Sequence, residues 1–120
     1  MKPHLLLVED DDSIRRSLEL FLAHNFEVVP CASLAQAVAY IAAAIEIDLV
    51  VTDFMLDNGD GLHVAEAVRM RFPDAHILLI TGSAMNHTRI EALLRLPNTT
   101  FFSKPFDLHK LEGTLLQLAK

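Results

Sequence analysis

The sequence predicts an α/β fold: a five-stranded parallel sheet, strand order 2-1-3-4-5, with helices on both faces. Three observations predict it. Strand-sized aliphatic runs recur along the chain. Stretches with apolar residues at helical spacing lie between them. The longest apolar runs belong at the centre of a sheet, and right-handed crossovers between parallel strands then leave few orders open.

His4 to Val8 reads as a buried strand that stops at the acidic run Glu9-Asp10-Asp11-Asp12. A helix follows from Ser13 to about His24, with Ile14, Leu18, Phe21 and Leu22 on one face and Asp11 or Asp12 as its cap. Phe26 to Pro30 alternates as a second strand, and Pro30 suits an edge. Ser33 caps a helix whose apolar side carries Leu34, Val38, Ile41 and Ile45. Asp48 to Asp53 is the central strand, and Asp57-Asn58-Gly59-Asp60-Gly61 is dense in turn formers. The third helix carries Val64, Ala65, Val68 and Phe72 and is closed by Pro73. Ala75 to Ile80 is the fourth strand, ending at Thr81-Gly82-Ser83. A shorter fourth helix carries Ile90, Leu93 and Leu94 and ends near Pro97. Thr99 to Ser103 is the fifth strand, and the last helix carries Leu108, Leu111, Leu115 and Leu118. Residues 1–120 are expected to form one domain, without linker, repeat or low-complexity stretch.

Hydrophobic residues make up 52% of the chain and charged ones 22%, which excludes disorder. The formal net charge of −6 argues against direct nucleic-acid binding by this domain. A single cysteine, Cys31, permits no internal disulfide and suits a reducing cytoplasm. No apolar run is long enough to cross a membrane.

Four chemically distinctive clusters fall just after apolar strands: Glu9-Asp10, Asp53, Thr81 and Lys104. Parallel strands share one C-terminal edge, where open α/β sheets bind ligands. Carboxylates about 4 Å apart repel by roughly 4 kcal/mol at an effective dielectric near 20. A divalent cation offsets that repulsion, and an oxygen-only donor set suits Mg²⁺. With Lys104 as a second cation and Thr81 as a hydroxyl donor, the set reads as a phosphoryl-transfer site with Asp53 as nucleophile. Taken alone, the acidic run would be no more than a helix N-terminus, and Lys104 a loop lysine beside a proline. The six histidines, His4, His24, His63, His76, His87 and His109, show no paired ligand spacing.

The chain resembles the receiver domains of bacterial response regulators. The matching motifs are Leu6 to Asp11 with Ser13-Ile14-Arg15, Thr52 to Leu56 with Asp60-Gly61, Leu78 to Gly82, and Phe102 to Phe106. The resemblance implies a flavodoxin-like (βα)5 fold and a signalling module, not a metabolic enzyme. Its own chemistry would be limited to Mg²⁺-dependent self-phosphorylation and slow loss of the phosphoryl group. It implies that Asp53 is phosphorylated from a histidine kinase or phosphotransfer protein, with Mg²⁺ held by Asp10, Asp53, the Met55 carbonyl and, through water, Glu9. Thr81 and Lys104 would bind phosphoryl oxygens, and Phe101 would stand at the switch-aromatic position. The switching surface would be the fourth helix, fifth strand and last helix, read by an effector domain or protein or by a second copy in a phosphorylation-dependent homodimer. The Lys104-Pro105 bond would be cis. The segment around Pro97 to Phe106 also resembles receivers fused to hybrid histidine kinases.

The chain departs from the family at Asp57, where many members have Pro, and at Phe101, which has no hydroxyl. Met55 and Ser83 stand where the family tunes phosphate lifetime. Two rival readings are a Mg²⁺-dependent phosphatase and a flavodoxin-like nucleotide binder. The first lacks an acid two residues after the nucleophile, where Met55 stands; the second lacks a phosphate-cradling loop after the first strand.

Overall fold

The computed structural model describes residues 2–57, 59–82 and 97–119. The elements are β1 (His4–Val8), α1 (Asp12–Leu22), β2 (Glu27–Cys31), α2 (Leu34–Ala43), β3 (Leu49–Asp53), β4 (Met55–Leu56), β5 (Gly59–Asp60), α3 (Gly61–Arg71), β6 (His76–Thr81), β7 (Thr99–Ser103) and α4 (Leu108–Leu118). Five strands form one parallel sheet in the order β2-β1-β3-β6-β7. This is the 2-1-3-4-5 order read from the sequence. The expected helix carrying Ile90, Leu93 and Leu94 lies outside the described residues.

Alternation along each strand builds two cores. Leu6, Val8, Val50, Ile77 and Leu79 point to one face and pack against Ala37 and Ile41 of α2 and Val64, Ala65 and Val68 of α3. Leu5, Leu7, Val51, Leu78 and Ile80 point to the other, against Leu18 and Leu22 of α1 and Leu111 and Leu115 of α4. Each fully buried aliphatic side chain contributes about 1.5–3 kcal/mol relative to exposure. With both faces covered, Leu5 to Val8, Leu49 to Val51 and Ile77 to Ile80 are apolar at successive positions, which is why they read as continuous runs.

The caps fall where the sequence put them. Asp11 accepts from the Ile14 N–H and starts α1, and Ser33 accepts from the Gln36 N–H and starts α2. Pro30 lies on the edge strand β2.

Four apolar positions differ from expectation. Leu108, the first residue of α4, is 36% exposed, and only Leu111 and Leu115 of that helix are buried. Ile14 is 39% exposed, because it lies one turn before the Leu18–Leu22 contact, past the sheet, on a groove shared with Phe106. Val38 is 42% exposed because the buried side of α2 is Ala37, Ile41 and Ala44. Small alanines face the sheet there and hide the true face from hydropathy. Ile45 is 97% exposed, since α2 ends at Ala43 and its cap Ala44 turns extended.

The segment after β3 is more than a turn. Met55 and Leu56 pair antiparallel with Asp60 and Gly59, making a small hairpin. Asp60 then caps α3, its Oδ1 accepting from the N–H groups of Leu62 and His63. Gly61, the first residue of α3, donates its N–H to the Phe54 carbonyl at 2.7 Å. A Cβ at Gly61 would lie 2.7 Å from the Asp53 carbonyl oxygen and 2.7 Å from Leu79 Cδ2. Only glycine allows this approach. At Gly82 an added Cβ would meet nothing within 4 Å, so no close contact within the described chain demands glycine there.

Candidate phosphoryl-transfer site

Sheet register sets the row of functional residues. Val8 pairs with Thr52, so Glu9 and Asp53 follow side by side from adjacent strands. Asp53 pairs with Ile80 and Ile80 with Phe102, which leaves Thr81 and Ser103 one step further along. Lys104 continues this ladder, its N–H donating to the Thr81 carbonyl at 2.8 Å. The Lys104-Pro105 peptide is cis, as expected.

Glu9, Asp10 and Asp53 offer carboxylate oxygens that all lie within 4.8 Å of one another. Glu9 and Asp53 are buried, at 2% and 4% exposure, and Asp10 is partly buried. Lys104 Nζ donates to Asp53 Oδ2 at 3.3 Å. It lies 3.2 Å from Oδ1, an ion-pair distance outside hydrogen-bonding geometry, so Oδ1 is buried and accepts no hydrogen bond. A buried carboxylate oxygen left in this way is costly unless something else meets it.

The electrostatics carry the same signature. Burial, a hydrogen bond with Asp53 and the Asp53 charge push the Glu9 carboxyl up to about 8. Burial works against the Lys104 ammonium, but Asp53, Glu9 and Asp10 outweigh it and hold its pKa above the ordinary lysine value. Among the described residues, the crevice therefore carries more negative charge than Lys104 balances. Oxygen donors in this number, two of them buried, fit a hard divalent cation such as Mg²⁺. The donor set and the orphaned Asp53 oxygen agree on that.

The chain matches the response regulator receiver domain family over residues 5–116. It belongs to that family. The receiver domain is 34% identical over 113 residues to the photosynthetic apparatus regulatory protein RegA of Cereibacter sphaeroides, covering 93% of this chain and 60% of that protein. It is 33% identical over 109 residues to protein PetR of Rhodobacter capsulatus, covering 91% of this chain and 45% of that one. It thus spans about half the length of such relatives. Among solved structures, a response regulator receiver protein from Sinorhizobium medicae superposes with a TM-score of 0.87 at 27% identity, covering 98% of this chain and 94% of that one. Receiver domains are the signalling domains of two-component systems, not metabolic enzymes. Among the described residues, no helix is long and apolar enough to cross a membrane.

The receiver domain brings Glu9, Asp10, Asp53 and Lys104 together. Thr81 ends β6 on the same edge, its hydroxyl donating to the Phe102 carbonyl at 3.3 Å. Phe101 lies on β7, opposite Leu79, and packs partly buried against the α2/α3 core. The Met55 side chain is 65% exposed beside the hairpin.

Two supporting residues went without a role in the sequence reading. Arg15 donates to the Glu9 carbonyl at 3.0 Å and pairs with Asp12, which ties the acidic loop to α1. Asp60 fixes α3 against the end of β3; an Asp-Gly pair before an apolar helix was the available signal.

Proposed function

We propose that the receiver domain takes a phosphoryl group on Asp53 from the phosphohistidine of a kinase or phosphotransfer protein. One observation carries this: a buried carboxylate at the end of the central strand, grouped with two more acids and paired with one lysine, keeps an oxygen without a hydrogen bond. An Asp53 oxygen attacks phosphorus, the P–N bond breaks, and the donor imidazole leaves with the bonding electrons. Loss of the group reverses the logic: water attacks phosphorus and the carboxylate leaves. Asp10, Asp53, the Met55 carbonyl and, through water, Glu9 would hold Mg²⁺. When bound, that ion supplies charge neutralisation at the phosphoryl oxygens. Lys104 supplies a second positive charge, and Thr81 turns its hydroxyl from the Phe102 carbonyl toward a phosphoryl oxygen. Residues 1–120 act as one receiver unit in the cytoplasm, with no direct role for nucleic acid or membrane.

The output follows from Thr81 and Phe101. A shift of Thr81 leaves space that Phe101 fills by packing alone, and the fourth-helix, fifth-strand and last-helix surface resets for an effector or a second copy. The fourth-helix part of that surface lies outside the described residues. The test is intact-mass labelling with a small phosphodonor and Mg²⁺. Wild type, Asp57→Asn and Phe101→Ala should gain one phosphoryl group and Asp53→Asn none. Labelling retained in Asp53→Asn would overturn the assignment.

A further inference from the structure

We propose that Arg15 is a positioning residue of the divalent-cation site: its guanidinium holds the peptide that joins Glu9 to Asp10, and so sets where both carboxylates stand against Asp53. The inference rests on the cation-site reading above and adds to it a residue of the same charge sign as the cation.

The run Glu9-Asp10-Asp11-Asp12 leaves the sheet and enters α1, and it is held on both sides of Asp10. The Glu9 N–H donates to the Cys31 carbonyl at 3.1 Å, one step past the end of β1. The Glu9 carbonyl accepts from the Arg15 guanidinium at 3.0 Å. Asp11 accepts twice, its carbonyl from the Arg15 N–H at 2.9 Å and its Oδ1 from the Ile14 N–H at 2.9 Å. Asp12 Oδ1 pairs with the other arm of the same guanidinium. The Glu9 carbonyl and the Asp10 nitrogen belong to one planar peptide unit. Fixing that carbonyl fixes the plane from which Asp10 departs, and the oxygens of Glu9, Asp10 and Asp53 lie within 4.8 Å of one another.

Two features set this contact apart from a surface ion pair. The Arg15 side chain is 17% exposed and its Asp12 partner 83%. Exposed ion pairs contribute little, so the partly buried bond to the Glu9 carbonyl carries the hold, and Asp12 orients the planar fork toward it. The sign of the charge is the second feature. A fixed positive charge close to a cation site weakens it by Coulomb repulsion. Charge alone therefore favours a neutral side chain at position 15, whereas the hold on the loop favours arginine. Mg²⁺ demands near-octahedral geometry, so its carboxylates must be set in place. Groups that orient metal ligands in this way are worth roughly tenfold or more in metal affinity.

The experiment titrates Mn²⁺ alone, with no phosphodonor, and reads free Mn²⁺ by electron paramagnetic resonance. It compares wild type, Arg15→Ala, Arg15→Lys, Arg16→Ala, Asp48→Ala and Asp10→Asn, with thermal unfolding in chelator as the check on folding. Arg15→Ala should bind about tenfold more weakly than wild type. Arg15→Lys keeps the charge, loses the fork and should fall between them. Arg16→Ala removes the neighbouring, exposed positive charge and should not weaken binding. Asp48→Ala strands the His4 N–H at the opposite edge and should cost stability without costing affinity. Asp10→Asn should bind no Mn²⁺. Affinity in Arg15→Ala equal to or tighter than wild type, or an equal loss in Arg16→Ala or Asp48→Ala, overturns the role of Arg15, while loss in Asp10→Asn leaves the site itself standing. If Arg15→Ala does not fold, Arg15→Lys decides, and wild-type affinity there overturns the role. Wild-type affinity in Asp10→Asn removes the site and the role together.

Discussion

The two edges of the sheet are built from the same kinds of residue and end in opposite conditions. At the N-terminal edge, the His4 N–H donates to Asp48 Oδ2 at 2.8 Å and the His4 ring lies 3.4 Å from Glu46. Arg71 donates to the Ile41 and Ala44 carbonyls, closing the end of α2 against α3. Arg69 bridges the Ala75, Pro97 and Asn98 carbonyls. The cavity there, about 530 Å³, is lined by both signs of charge, including Lys2, Asp74 and His76. At the C-terminal edge, three acids share a crevice with one lysine and leave a buried oxygen over. Among the described residues each edge keeps one buried polar atom without a hydrogen bond, Arg69 Nε at the first and Asp53 Oδ1 at the second; what differs is the charge, mixed at one edge and mainly acidic at the other.

The largest expected difference is the response to Mg²⁺. In wild type, Mg²⁺ at about a hundred times its dissociation constant should add ~2.7 kcal/mol of stability by mass action. Asp10→Asn should lose that gain and Asp48→Asn, on the opposite edge, should keep it. Thermal unfolding with and without Mg²⁺ reads both. Equal Mg²⁺ shifts in wild type and Asp10→Asn would erase the distinction between the edges.

Next in size is Arg71→Ala. It strands two carbonyls that the guanidinium now meets, one of them at 2.8 Å, and removes a cation 4.9 Å from the Phe72 ring. A loss of about 2 kcal/mol in urea unfolding is expected, with Mn²⁺ affinity unchanged. A change in Mn²⁺ affinity instead would mean that the edges communicate.

A third effect, read in pH and not in a metal or a substitution at the other edge, is the response of Glu9. Its folded-state pKa of about 8 lies above the ordinary 4.5, so the folded chain holds this proton more tightly than the unfolded chain does. The stability linked to that proton is fully present below 4.5 and is lost as pH rises through about 8. In chelator, Glu9→Gln should gain on wild type across that window, most at its alkaline end. A flat difference between the two proteins from acid to alkaline pH would show that Glu9 feels neither burial nor Asp53.

Much of this was legible in the sequence because the signals were local and strong. The central strands are buried on both faces, so Leu5 to Val8 and Ile77 to Ile80 stand out as runs, and a run that stops at a charge marks a strand end. Caps at Asp11 and Ser33 are set by one side chain and one turn of helix. The α2 face was misread because alanine carries little hydropathy while filling a tight helix–sheet contact, as Ala37 does at 0% exposure. The β4–β5 hairpin escaped because two-residue strands hold no periodicity.

Gly61 gives the acceptor a second address. The start of α3 is pressed so close to the backbone of Asp53 that a methyl group at position 61 would collide with the Asp53 carbonyl. Variation at that codon would thus reach the nucleophile from behind, without touching any charged group in the crevice. The place of the carboxylate is written twice in the gene: once in the residue that bears it, and once in a residue whose contribution is to bear no side chain.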